Sequence, residues 1–221
     1  MRPIGGWIRV LGILLVLVLA CASPVSADFG TLAPSSSPQS HVIEHFPLAG
    51  QWWNLSCEYA ATSAATAYFN KQIGQDAFAT MIGFDANPNK GFRGNLSGPW
   101  GGTWDYGVYA LPILSVLTQH GFAHSYTFHA DANLLRDAIS NNRPVVVWIN
   151  GTYGSAPRYN DESDGEQFIL VPYEHAVTIY GYSEQGVSVM DPAYPAYYDV
   201  SWDVFMNAWL QLDGMALAVA V

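Results

Sequence analysis

The chain has 221 residues, 50% of them hydrophobic and 12% charged, with 18 acidic against 8 basic side chains and a formal net charge of −10. Such a composition buries a core and excludes wholesale disorder. So acidic a chain repels phosphate backbones, which argues against nucleic acid as a partner. The length suits one domain once an N-terminal export segment is set aside.

In chain order, Arg2 and Arg9 are the only charges before Asp28, and residues 10–20, between Arg9 and Cys21, are almost wholly apolar. A basic start and a short apolar run predict a signal peptide over 1–27, too short for a membrane span. Two processing sites fit. Val25-Ser26-Ala27 offers cleavage before Asp28, giving a secreted chain, and Val18-Leu19-Ala20-Cys21 resembles a lipobox, with a lipid anchor only through Cys21. Either way the protein is expected outside the cell or at its surface. Residues 28–40, rich in Pro and Ser, read as a tether, and the domain is expected over 41–221. Cys57 is then alone in the mature chain, either a reactive thiol or a buried small hydrophobe.

His41-Val42-Ile43-Glu44-His45 matches the His-x-x-Glu-His spacing of inverted zinc peptidases. Zinc binding there needs a helix that turns both imidazoles to one face. β-branched Val42 and Ile43, with Pro47 just beyond, favour an extended lead-in. No metal and no cofactor are expected.

An Ala-rich run without Gly or Pro predicts a tightly packed helix over 57–70, capped by Asn54 or Ser56. A short helix follows over 75–82, then a long loop of Gly, Pro and Trp over 85–107. The next helix spans 109–120, with Pro112 in its first turn and Gly121 at its end. A strand is expected between His124 and His129, and Asp131 caps a helix carrying Leu134, Leu135, Ala138 and Ile139. Buried strands are expected over 144–150, 175–182 and 187–190. The acidic run 161–166 reads as a solvated loop. Ser201 caps a helix through Phe205 and Trp209, and 215–221 is a last apolar strand. Helices come first and the sheet later, which predicts an α+β domain with the Cys57 helix packed on a C-terminal antiparallel sheet.

A thiol attacks a carbonyl as thiolate, and a helix start lowers its pKa. Cys57 opens the Ala-rich helix, and Gln51, six residues upstream, is placed to aim an amide at a developing oxyanion. Of six histidines, His175 has the strongest context. It opens a strand that turns through Glu184-Gln185-Gly186 into a second strand ending at Asp191-Pro192. A hairpin would bring Asp191 beside His175 to fix its tautomer. Trp52, Trp53, Trp100 and Trp104 are candidates for the wall of a peptide or glycan cleft.

Gln51, Cys57, Glu174-His175-Ala176-Val177, Gly181-Tyr182 and Asp191-Pro192 together resemble the bacteriocin-leader (double-glycine) peptidase-like branch of the papain-type cysteine peptidases. The likeness runs from about Ile43 to the C-terminus. It implies a papain-like fold, Cys57 as nucleophile, His175 as base and Asp191 as orienter. The chain departs from the pattern in one place: many relatives follow the Cys with Gly-Pro, whereas here Glu58-Tyr59 follows, and a carboxylate beside a thiol opposes its ionisation. The expected function is an exported cysteine hydrolase acting on peptide or isopeptide bonds of a peptide or protein. The rival expectation is an inactive papain-like domain that binds a peptide or glycan.

Overall fold

A computed structural model of the chain describes residues 37–221. The signal segment with its lipobox lies outside the described residues, as does most of the tether. In chain order the elements are β1 (His41–Val42), α1 (Cys57–Tyr68), α2 (Gln75–Ile82), α3 (Ala110–Gln119), β2 (Tyr126–His129), α4 (Ala132–Ser140), β3 (Val145–Asn150), β4 (Tyr159–Ser163), β5 (Glu166–Leu170), β6 (Glu174–Tyr182), β7 (Gly186–Asp191), β8 (Ala196–Ser201), α5 (Trp202–Leu210) and β9 (Met215–Ala218). Helices α1 to α3 precede a largely C-terminal antiparallel sheet, so the α+β expectation holds.

The Ala-rich composition of α1 lets its backbone approach the sheet closely. Residues 57–66 are all buried, and the Thr178 hydroxyl on β6 reaches the Ala61 carbonyl at 3.0 Å. Larger side chains at these positions would hold helix and sheet apart. Helix α4 begins as expected, with Asp131 Oδ1 accepting from the N–H groups of Asn133 and Leu134 at 2.8 and 3.0 Å.

The main sheet runs β2-β9-β3-β6-β7-β8, with β1 added on β6. All its pairs are antiparallel. The β-branched runs of β3 and β6 fill its centre, pairing Ile149 with His175 and Asn150 with Glu174. A bulge at Tyr180 interrupts the β6–β7 ladder between the Ile179–Val189 and Gly181–Ser188 pairs. Beyond the Thr178–Met190 pair the strands run on to His175 and Asp191, which become diagonal neighbours at the end of the ladder.

Three expectations are corrected, and one strand is added. The acidic run 161–166 is no irregular loop: it lies in a two-stranded sheet of β4 and β5. Asp164 and Gly165, at φ 53° and 78°, form the two-residue turn that such a hairpin favours. Ser56 stands at the N-cap of α1 without capping it, because its hydroxyl bonds Trp53 O and Gln75 Oε1. Ser201 precedes α5 with no side-chain cap bond either. Strand β8, which no sequence signal marked, extends the sheet past β7.

Candidate active site

The segment before α1 is tied down by a buried glutamine. Gln75, the first residue of α2, accepts from Trp52 N–H at 3.0 Å and from the Ser56 hydroxyl at 3.1 Å, and donates to Gly50 O at 2.9 Å. A further bond runs from Gln51 N–H to Pro192 O at 2.9 Å. These bonds hold residues 50–56 against the chain just after β7, so Gln51 and Cys57 are fixed relative to the end of that strand.

His175 is buried on β6, with Nε2 2.9 Å from Asp191 Oδ1. Asp191 also accepts from Ala193 N–H at 2.9 Å and from the Tyr198 hydroxyl at 2.8 Å. Tyr198 in turn meets the Tyr153 hydroxyl at 3.1 Å. Burial alone would raise the Asp191 carboxyl. The hydrogen bond and charge of His175, with the Ala193 and Tyr198 donors, outweigh burial and hold it below the ordinary carboxylate range.

Gly151 is required by close approach. A Cβ there would lie 2.8 Å from His175 Cβ and 3.1 Å from Trp100 Cζ2. Trp100 is anchored by its indole N–H, which donates to Glu174 O at 2.8 Å. The imidazole, the indole and Gly151 thus form one layer.

Gln51, Asn54, Cys57, Trp100, Gly151, His175, Asp191, Ala193 and Tyr194 line a cavity of about 280 Å³. Four of the expected site residues, Gln51, Cys57, His175 and Asp191, therefore open on one hollow, as does Trp100. Trp52 and Trp53 pair edge to face with each other and do not line it. Trp104 lies on a separate hollow of about 380 Å³ with Phe84 and Arg93, which carries no thiol or imidazole. The sequence missed Tyr194, 85% exposed at the rim, and Tyr198 behind Asp191. Both lie in a segment where only Asp191-Pro192 carried a signal.

Gln51 Nε2 gives one proton to Asn54 O at 2.7 Å, and a primary amide carries a second. Gln51 Oε1 is buried without a partner among the described residues.

The thiol points elsewhere than expected. Cys57 Sγ accepts from Ala176 N–H at 3.4 Å and donates to Glu58 Oε2 at 3.4 Å. Among the described residues no hydrogen bond joins Cys57 to His175. Glu58 Oε1 accepts from Val108 N–H at 2.7 Å. Glu174, next to His175, is buried with neither carboxyl oxygen partnered. Burial pushes the Cys57 thiol well above its ordinary range, and Glu58 and Glu174 push it further, against the Ala176 N–H. A helix start favours an anion by about 0.3 to 2 kcal/mol, and here burial and the carboxyls act against it. Burial also drives Glu58 up to about 7, against hydrogen bonds from the backbone and the thiol. Glu174 is raised by burial and then by Glu58.

The fold and this cleft define a papain-like cysteine peptidase scaffold. The chain belongs to the peptidase C39-like family, whose family model matches residues 43–217. No curated protein matches it. Among solved structures, a C39-like peptidase from Bacillus anthracis is 21% identical with a TM-score of 0.74, the match covering 83% of this chain and 98% of that one. The peptidase domain of Streptococcus ComA, a bi-functional ABC transporter involved in quorum sensing, is 16% identical with a TM-score of 0.52, covering 80% and 98%. Xylellain, a cysteine protease from Xylella fastidiosa, is 9% identical with a TM-score of 0.54, covering 84% and 87%. At these identities the likeness establishes the fold.

Proposed function

We propose that the chain is an exported cysteine peptidase that cleaves peptide or isopeptide bonds. The observation that carries this reading is the His175–Asp191 hydrogen bond, 2.9 Å long, opening on the cavity that Cys57 also lines. With Nε2 held by Asp191, Nδ1 is the nitrogen left to take the Cys57 proton. Cys57 Sγ then attacks the carbonyl carbon. The oxyanion is met by the second amide proton of Gln51 and by the Cys57 N–H, which has no intrahelical carbonyl to bond at a helix start. The imidazolium returns its proton to the leaving amine, and water releases the acyl group from sulfur.

A peptide or protein substrate agrees with the family, and the Streptococcus relative is by its description a peptidase domain. Trp100 and Tyr194 are the aromatic surfaces beside the reacting centre. The basic and apolar N-terminus supports export, ending in secretion or in a lipid anchor at Cys21. The mature N-terminus tests this by mass: Asp28 for secretion, a diacylglyceryl Cys21 for the lipoprotein.

The thiol's bond to Glu58 favours a second reading, an unreactive domain that binds peptide or glycan in the same cleft. Treatment with an electrophilic peptidyl probe, followed by profiling on a peptide library, separates the two. A covalent adduct on Cys57 together with library cleavage supports the peptidase. Binding of peptides or glycans with neither adduct nor cleavage selects the binder.

A further inference from the structure

Glu58 and Glu174 are 0% and 2% exposed, and one carboxyl oxygen of each lies with Cys57 Sγ in a group whose three atoms are all within 4.8 Å of one another. A Cβ on Gly107 would sit 2.1 Å from Glu58 Oε1 and 3.0 Å from Glu174 Oε2, so both carboxyls crowd one point of the backbone. From α1 the cluster is faced by Cys57 and the Tyr59 phenol, and from residues 106–109 by Tyr106, Tyr109 and the Val108 N–H. From β6 it is faced by Glu174 itself, whose chain neighbour is His175. No lysine or arginine pairs with either carboxyl among the described residues. Burial raises all three phenols, so they stay neutral across the working range.

Two adjacent buried carboxylates without a cation cannot both ionise. The hydrogen bonding shows where a proton is missing. Glu58 has an N–H on one oxygen and an S–H on the other, whereas Glu174 has no donor on either. A proton on Glu174 removes its charge and makes one of its orphaned oxygens a donor within the same cluster.

We propose that Glu58 and Glu174 share one proton beside Cys57 and act as positioning residues for the thiol. When the pair carries its single negative charge, Glu58 accepts the S–H hydrogen bond and keeps Cys57 neutral. A second proton from solvent neutralises the pair. Glu58 then becomes a donor to sulfur, and the S–H proton passes to His175 Nδ1, leaving thiolate beside imidazolium. Cys57 is therefore most reactive on the acid side of the pair's titration. This deepens the peptidase reading, resting on it for the role of His175, but its test needs no substrate.

The rate of Cys57 alkylation by iodoacetamide is measured against pH on the full chain, with a chelator present to keep cations off the three groups. An ordinary thiol reacts faster as pH rises. Wild type is expected to do the reverse near neutrality, slowing roughly tenfold as pH rises through the pair's range. Glu58→Gln should remove that fall. Glu174→Gln, which replaces the repelling neighbour by an amide donor, should move it to lower pH. His175→Ala should lose the acid-side reactivity. A wild-type rate that only rises with pH, unchanged in form in Glu58→Gln, overturns the proposal. If the variants do not fold, isotope-edited infrared spectra of wild type decide: a protonated glutamic carboxyl near neutral pH supports the shared proton, and its absence refutes it. Acid-favoured alkylation in a protein that cleaves no peptide would leave this inference standing and sink the peptidase reading.

Discussion

His175 and Asp191 meet diagonally at the end of the β6–β7 ladder, with Nε2 2.9 Å from Oδ1. Asp191 accepts two further donors, so it is fixed before His175 is considered. The rigid partner is therefore the carboxylate, and the imidazole inherits its orientation.

Removing that support in steps should separate orientation from chemistry. Tyr198→Phe deletes one donor to a charged acceptor, worth about 1.5 to 3 kcal/mol to the carboxylate. It should raise the Asp191 carboxyl toward the ordinary range and lower turnover by roughly tenfold or less. Asp191→Asn should cost roughly two to four orders of magnitude, because the amide can donate to Nε2 and impose the wrong tautomer. Asp191→Ala should leave residual activity. Turnover against pH for the three variants checks the order, and equal losses in Tyr198→Phe and Asp191→Asn would contradict it.

Gly151→Ala tests the layer of Trp100, Gly151 and His175. The added methyl would lie 2.8 Å from His175 Cβ, and strand and imidazole are both fixed. Overpacking of this kind typically destabilises by about 1 to 3 kcal/mol. The expected result is a folded protein with turnover reduced more than about tenfold, since a displacement of about 1 Å at a reacting centre is costly. Circular dichroism and kinetics on one preparation check it; full activity would show that the layer yields without moving His175.

Gln51→Ala should lower turnover by roughly two to three orders of magnitude with little change in KM, as for a donor used mainly in the transition state. Steady-state kinetics on a peptide found by library profiling decides. A change confined to KM would make Gln51 a substrate contact.

Stability should depend on pH in two opposed ways. Glu58 is raised from 4.5 to about 7 on folding. A raised carboxyl contributes stability that is present at low pH and lost as pH rises through the folded value. Asp191 is lowered, so its contribution is present above the ordinary carboxylate range and lost as pH falls through its folded value. Melting temperature should therefore peak on the mildly acidic side and decline as pH rises above about 4.5, with Glu58 contributing up to about 7 and Glu174 adding to the fall. Glu58→Gln should lessen the decline, leaving the part due to the likewise raised Glu174, and keep the acid limb in place. Calorimetry across pH checks this, and a wild-type melting temperature that rises through neutrality would contradict it.

Much of the scaffold was legible because local and tertiary preferences agree. The Ala run of α1 is at once a good helix former and thin enough to lie on a sheet. The β-branched runs of β3 and β6 suit only a strand buried on both faces, so Cys57 and His175 could be placed on the right elements. What could not be read depended on partners distant in the chain. Ser56 looks like a cap, but Gln75 and Trp53 compete for its hydroxyl. Asp164-Gly165 is a strong hairpin signal, which the charges around it obscured. Trp104 and Trp100 look alike in sequence, yet only Trp100 is held by Glu174 O at the cleft. Glu58 was legible as a hindrance to the thiol. Its company with Glu174 was not, because they are 116 positions apart and only the stacking of α1 on β6 unites them.

Cys57 as nucleophile is tested most directly by hydrolysis of a library-selected peptide by wild type and Cys57→Ser, with the peptidyl-probe adduct mapped by mass spectrometry. A serine hydroxyl is far less ionised than a thiol in the same site, so an adduct on Cys57 in wild type and no hydrolysis by Cys57→Ser are expected. A Cys57→Ser protein that cleaves the same peptide at the wild-type rate would place the nucleophile elsewhere.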